Sequence, residues 1–403
     1  MSDGASPLGD PVWRRFFAAH AVSITGTALT TFVLPILLYQ RTGSAGLTAL
    51  LTALQTVPYL LFGLFAGAIS DRHDRRRIML TSDIAAALIV GSVPVADAFG
   101  VLSTAQLIAV AAGLATCFVW FDAANFGALP SLVGRDRVVR ASSAMWTFDS
   151  VALIVGPAVG AVIATSATPS IALAIDALSY VGSAFLIRGV RRPFSTGERA
   201  IATTMRQTIV EGLRYLWTER VIRALTLSGF GNSVSFGALL GLTVPYAVRQ
   251  LGLSDHDPRI GILVAVGAFG TLTAALTLPR IGHGRIPPRL TTYALALAAV
   301  MMFALAFTTS FPIALPIWLV WQTGVELAIL NGITYRQTTV PDEFLGRVNV
   351  VARMVSWGGQ PFGAALGGVL ATVADVRVAL AVMVIPVTVA AVTTARTLHR
   401  AGR

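Results

Sequence analysis

Long apolar runs, each closed by a short cluster of charged or turn-forming residues, repeat along the whole chain. Twelve of them are predicted, at 14–38, 47–69, 78–99, 105–128, 145–165, 170–188, 222–248, 260–279, 290–309, 313–335, 348–372 and 378–395. A helix of about 20 apolar residues spans the hydrocarbon core of a bilayer. Period-two alternation is absent and an open sheet cannot cross lipid, so each run is read as a helix. The expected fold class is an all-α membrane protein of about twelve transmembrane helices in two six-helix halves. The longest stretch without such a run, 189–221, opens on Arg191, Arg192 and Pro193 and then places Ile209, Leu213, Leu216 and Trp217 on one helix face. It predicts an amphipathic helix in the inner headgroup region. The halves are therefore 1–190 and 222–403, joined by a cytoplasmic linker over 191–221.

Composition supports the pattern. Charged side chains make up 12% of the 403 residues, roughly half the share in a soluble domain. All 30 basic residues are arginine. With the N-terminus inside, 25 of them fall in cytoplasmic segments and four outside (Arg41, Arg249, Arg259, Arg377), with Arg353 near the cytoplasmic end of span 11. This bias follows the positive-inside rule and puts both termini in the cytoplasm of a plasma-membrane protein. It also accounts for the +11 net charge without nucleic acid, since the charge lies beside the membrane. Cys117 is the only cysteine, so no disulfide framework or thiolate metal site is expected. The five histidines (20, 73, 256, 283, 399) are scattered over both sides, which argues against a membrane enzyme, and no G-x-x-x-x-G-K-[ST] phosphate loop is present. No cofactor is expected.

The halves repeat faintly at an offset of 207 residues: Arg140, Gly156 and Gly160 correspond to Arg347, Gly363 and Gly367, and Gly63 to Gly270. Parallel repeats of this kind build two-halved secondary transporters. Glycines four apart let helices approach closely in lipid.

Between spans 2 and 3 the chain reads Gly67-Ala-Ile-Ser-Asp71-Arg72-His73-Asp74-Arg75-Arg76-Arg77. This resembles the G-x-x-x-D-R-x-G-R-R signature of the major facilitator superfamily, with Asp74 where the family has glycine. Asp tolerates a left-handed backbone, so a tight turn is expected there. Tyr39–Ser44, Phe121–Pro130, Glu211–Trp217 and Pro341–Arg347 look like the branch of macrolide and siderophore exporters. Gly156-Pro157-Ala-Val-Gly160 is similar to the core of a motif associated with proton antiporters, although Ala161 and Ala152 stand where that motif has glycine.

The resemblance implies a monomeric transporter working by alternating access, exporting an amphipathic small molecule in exchange for protons. An importer or uncoupled facilitator is the alternative. It implies a cytoplasmic gate of Gly67, Asp71, Arg72, Arg75 and Arg76, with Asp71 facing the start of span 11 and Arg75 pairing with Asp122. It also places spans 1, 4, 7 and 10 around a central cavity. His20, Ser23 and Thr27 share one polar face of span 1, and Asn125 lies in span 4, Asn232 in span 7 and Gln322 in span 10. These are candidate cavity residues, although a lone histidine on such a face is commonly a hydrogen-bonded structural group. Gly156, Pro157, Gly160, Gly363 and Gly367 are candidate packing positions.

Ionisable groups inside spans are costly and point to function. Asp83, Asp97, Asp149 and Arg353 fall near span ends and are read as structural, and Asp176 as a helix–helix hydrogen-bonding residue. Glu326, near the middle of span 10 with no arginine within two turns, is the candidate proton carrier.

Overall fold

The computed structural model describes residues 9–70, 72–134, 137–166, 169–194, 205–282 and 288–401. The described chain is helical, without a strand. Six helices come first: α1 (Pro11–Thr42), α2 (Ala45–Ser70), α3 (Arg75–Ala98), α4 (Thr104–Val133), α5 (Val138–Ser166) and α6 (Pro169–Arg188). A short α7 (Met205–Thr218) leads into α8 (Arg220–Gly241), α9 (Thr243–Pro245) and a π turn over Tyr246–Gln250. Then follow α10 (Arg259–Gly282), α11 (Arg289–Phe307), α12 (Phe311–Thr339), α13 (Asp342–Trp357), α14 (Gly359–Val373), α15 (Val376–Val382) and α16 (Val384–Ala401). Among the described residues nine helices are long and apolar enough to cross a membrane, or ten when α8 and the bent segment after it count as one span. With α5 and the broken α13–α14 pair the number is about twelve.

Several helices run past the apolar windows or break inside them. α5 begins at Val138, ahead of the predicted 145, and its first turns carry the polar Arg140, Ser142 and Ser143. Span 7 bends by 54° after Gly241. Pro245 supplies no N–H there, and the Leu251 N–H bonds the Tyr246 carbonyl at 3.1 Å to close the π turn. Span 11 breaks at Gly358, and span 12 breaks at Met383, with Pro386 in the first turn of α16. Side chains such as Leu88, Leu178 and Phe185 are exposed while Asp176 and Asn331 are fully buried. That inversion of a soluble protein's surface is what lipid requires.

The chain divides into two compact units. One comprises Met1–Leu38 and Val57–Ala202, the other Tyr39–Thr56 and Thr203–Arg403. The tip of the α1–α2 hairpin thus groups with the second unit, and the crossing points lie close to Pro35 and Pro58, each inside its helix.

In the first unit α3 packs along α4 and α6. A Cβ added at Gly156 would lie 2.6 Å from that of Ala28, and one at Gly160 would lie 3.2 Å from Phe32, so α5 rides directly on α1. Pro157 continues α5, and its side chain lies outside the described residues. Near the start of α1 and the ends of α4 and α6, Trp13, Phe16, Leu132, Ile187 and Phe194 form a buried cluster.

In the second unit α8 packs on α14 and α16, and α12 on α10 and α11. A Cβ at Gly363 would collide with the Val234 carbonyl, and one at Gly367 would lie 3.0 Å from that of Ala238. The α5-on-α1 contact is therefore repeated by α14 on α8. Gly63 and Gly270 do not match in this way: among the described residues Gly63 meets Tyr59 of its own helix, whereas Gly270 abuts α12 at Leu319 and Gln322. The hairpin tip packs by the same device, with a Cβ at Gly368 lying 2.6 Å from that of Ala49.

The linker helix α7 rests on α13 by part of its apolar face, and the Ile209 side chain lies outside the described residues. Leu216 is buried against Val348, Val351 and Ala352 of α13, Tyr215 stacks on Phe344, and Glu211 pairs with Arg347. Leu213 and Trp217 remain exposed.

Candidate functional site

Within the first unit, polar side chains of α1, α3, α4 and α6 converge on a cavity of about 40 Å³. Helical spacing on α1 brings His20, Ser23 and Thr27 to its wall, with Asp83 from α3, Asp122 and Asn125 from α4 and Tyr180 from α6. His20 Nε2 donates to Asp149 Oδ1 of α5 at 2.6 Å. Asp122 lies near enough to both to interact electrostatically, but makes no hydrogen bond among the described residues. The Thr27 hydroxyl is committed to the Ser23 carbonyl at 2.9 Å, so the Tyr180 hydroxyl donates to Thr27 at 2.9 Å.

Asp83 is 1% exposed and Asn125 7%, and Asp83 Oδ2 and Asn125 Oδ1 have no partner among the described residues. The reading of Asp83 as a solvated span-end residue is thereby corrected. α3 begins at Arg75, so Asp83 lies more than two turns inside it, and Asp149 is held by a partner 129 residues away. Asp97 accepts from Ser170. Asp176 accepts from Thr30, and from Ser179 at 3.1 Å, tying α6 to α1.

In the second unit Glu326 sits mid-way along α12, mostly buried, with no hydrogen bond or ion pair among the described residues. Gln322, one turn earlier, donates to Thr271 of α10 at 3.3 Å. Around that turn Tyr246 stacks on Trp318, Trp318 meets Trp321 edge-on, and Trp321 stacks on Phe236. Asn232 of α8 is 2% exposed, and its Oδ1 has no partner among the described residues.

At the α2–α3 turn Gly67 has open space around its Cα, and Asp71 lies outside the described residues. Arg72 is exposed. Arg75 donates to the carbonyls of Gly127 (2.7 Å) and Phe194 (3.3 Å), while Asp122 has His20 and Asp149 as its electrostatic neighbours. Gly127 leaves room for that guanidinium, since a Cβ there would lie 2.5 Å from Arg75 Nε. Arg76 donates to the Arg188 carbonyl. Asp74 is not left-handed as expected. Its φ is −66° and ψ 104°, and its carboxylate accepts the Arg76 N–H at 3.0 Å. The residue that departs from the signature is the N-cap of α3, a position that wants extended backbone and a side-chain acceptor.

A second, larger space of about 520 Å³ opens beside α3 and α4 near this turn, with Trp120 and Ile78 on its walls. Ser82 and Cys117 line both it and the inner cavity.

A membrane-embedded helical bundle whose two units bury unpaired polar and ionisable groups between spans is built to carry small molecules, and its fold is that of the major facilitators. The chain belongs to the transmembrane secretion effector family of that superfamily, whose profile matches residues 2–401. It is 28% identical over 392 residues to the multidrug efflux pump Tap of Mycolicibacterium fortuitum, covering 93% of each chain. It is 24% identical over 374 residues to macrolide efflux protein A of Streptococcus pyogenes, covering 89% of this chain and 90% of that one. Among solved structures it resembles a bacterial homologue of the human lysosomal transporter Spinster, with a TM-score of 0.77 at 14% identity over 99% of this chain and 98% of that one. A bacterial homologue of the iron transporter ferroportin gives a TM-score of 0.75 at 18% identity over 96% and 98% of the two chains.

Proposed function

We propose that the protein exports amphipathic small molecules, of the drug or macrolide kind, from the cytoplasm in exchange for protons by alternating access. The observation that carries this reading is the similarity over about nine-tenths of the chain to two efflux proteins. Coupling to protons follows from the chemistry of Glu326. A carboxylate in the interior of a span is disfavoured as the anion. With no cation beside it among the described residues, it exchanges protons as its access alternates. Competition between a proton and substrate for one buried acid gives exchange without a separate coupling device. Gln322, one turn from Glu326, adds a polar group to this stretch of α12, and the buried Trp318 and Trp321 pack beside it.

The test is export from everted vesicles carrying the wild type or Glu326→Gln. The Gln variant keeps shape and hydrogen bonding but cannot titrate. Gradient-driven macrolide export is expected to fall by about tenfold or more, the scale of ~1.4 kcal/mol, while gradient-independent exchange persists. Wild-type export with unchanged pH dependence would place the coupling acid elsewhere.

A further inference from the structure

We propose that the end of α6 in the first unit, with the starts of α1 and α3 beside it, is a binding site for an anionic phospholipid. The lipid phosphate sits on Arg15 and Arg76, and the acyl chains run along the apolar faces of α3 and α6. The inference goes beyond the exporter reading and does not depend on it.

α6 ends at Arg188, and α3 begins at Arg75. The carbonyls that close a helix have no partner inside it, and here two consecutive ones are taken by arginines of other helices. Arg15 of α1 donates from Nη1 to the Gly189 carbonyl at 2.8 Å, and Arg76 of α3 donates to the Arg188 carbonyl. Glycine seats the first of these arginines. A Cβ at Gly189 would lie 2.8 Å from Arg15 Nη1 and 2.9 Å from its Cζ, so a larger residue would push the guanidinium away. A guanidinium carries five N–H donors, and each of these two makes one side-chain hydrogen bond among the described residues. Most of their donors are therefore left for a ligand, at fixed positions.

Charge is also left over. Arg188 and Arg191, on the last turn of α6 and just past it, are exposed, which brings four arginines to one helix end. A helix C-terminus supplies roughly half a negative charge against them. The carboxylates of this region are already paired, Asp10 with Arg192 at 3.0 Å and Asp74 with Arg77 at 3.5 Å. None of the four has an ion pair among the described residues. Phosphate answers both the charge and the unused donors, because arginine meets it through two parallel N–H bonds. The surface beside the arginines decides what carries that phosphate. α3 and α6 pack along each other, and they expose Ile84 and Leu88 from the first helix and Leu178 and Phe185 from the second. Phe185, three residues before Arg188, is 75% exposed. A free phosphate leaves this apolar strip bare, whereas a diacyl lipid covers it while its headgroup reaches the arginines. Basic pockets between spans at the membrane surface hold anionic headgroups by the same two contacts.

The test is native mass spectrometry of the full chain in detergent, titrated with dioleoyl phosphatidylglycerol, dioleoyl phosphatidylcholine or glycerol phosphate. Phosphatidylglycerol is expected to bind more tightly than phosphatidylcholine, and glycerol phosphate is expected not to displace it. Arg15→Gln and Arg76→Gln should each weaken the phosphatidylglycerol complex about fivefold, the equivalent of ~1 kcal/mol for one arginine at a membrane surface. Gly189→Val keeps the net charge but fills the seat of Arg15, and is expected to weaken the complex as much. The unfolding midpoint of each variant checks its fold. If Gly189→Val does not fold, Arg15→Lys decides in its place, since lysine keeps the charge and loses the fork. Arg400→Gln removes an arginine from the last turn of α16 and is expected to leave the affinity unchanged. Equal weakening by Arg400→Gln would reduce the site to general attraction by a basic surface and overturn it. Equal binding of phosphatidylcholine, displacement by glycerol phosphate, or full affinity in a folded Gly189→Val or Arg15→Lys variant would overturn it as well. Lipid binding is read without substrate or gradient, so its failure and the failure of proton-coupled export are told apart.

Discussion

At the scale of single residues, polar groups do two different jobs in this chain. Asp10 serves structure. Burial alone would raise its carboxyl, but the N–H of Val12 and the guanidinium of Arg192 outweigh it and hold the group below the ordinary value of 3.8. Arg192 stands 3.0 Å from Asp10 and also donates to the Leu132 carbonyl, so the chain leaving α6 is tied to the start of α1. A lowered carboxyl contributes stability above its ordinary value and loses it as pH falls toward and through the lowered one. Asp10→Asn is therefore expected to lower the unfolding midpoint in detergent at pH 7, and the gap from wild type to close at acid pH. Asn keeps the oxygen that accepts from Val12 and removes only the charge beside Arg192, a loss of about 0.2–1 kcal/mol, and a gap that is constant with pH would refute the assignment. Asp122 and Glu326 stand apart from such ties among the described residues. The sequence marks Glu326 well, because an acid mid-way along an apolar run is conspicuous. It does not mark the His20–Asp149 pair or the depth of Asp83, since contacts between residues more than a hundred positions apart leave no local pattern.

At the scale of helices, glycine decides which pairs touch. The repeat offset of 207 residues is legible in the chain, but the partners of its glycines are not, because spacing says nothing of which neighbour fills the space. The structure supplies them: Ala28 and Phe32 for the first copy, Val234 and Ala238 for the second. Gly363→Ala would drive a methyl into the Val234 carbonyl and is expected to cost about 1–3 kcal/mol, the range for overpacking. Gly367→Ala meets a methyl at 3.0 Å and is expected to cost less. Thermal unfolding of the two variants in detergent checks the order, and the reverse order would contradict the α14–α8 contact. Helix ends were less legible than helix cores. Hydropathy registers the part of a helix that lipid covers, so the polar start of α5 and the breaks at Gly241, Gly358 and Met383 fall outside what it can see.

At the scale of the whole molecule, the arginine distribution makes a topological prediction. With both termini inside, a cysteine placed at Thr218 in a Cys117→Ala background should resist a membrane-impermeant maleimide applied to intact cells, and one at Ser254 should react. Labelling at 218 and not at 254 would invert the model of the membrane topology. The hairpin tip over 39–56 bears on a different matter, the construction of chimeras between related proteins. Fusing the first six helices of one relative to the last six of another looks modular from the chain order. The hairpin tip, however, travels in the first piece and packs with the second, where Ala49 occupies the space that only a glycine at 368 leaves open. A donor half with alanine or anything larger at that position would reject the graft unless residues 39–56 were exchanged along with it. The natural seam for recombination is therefore discontinuous, cutting α1 and α2 as well as the linker.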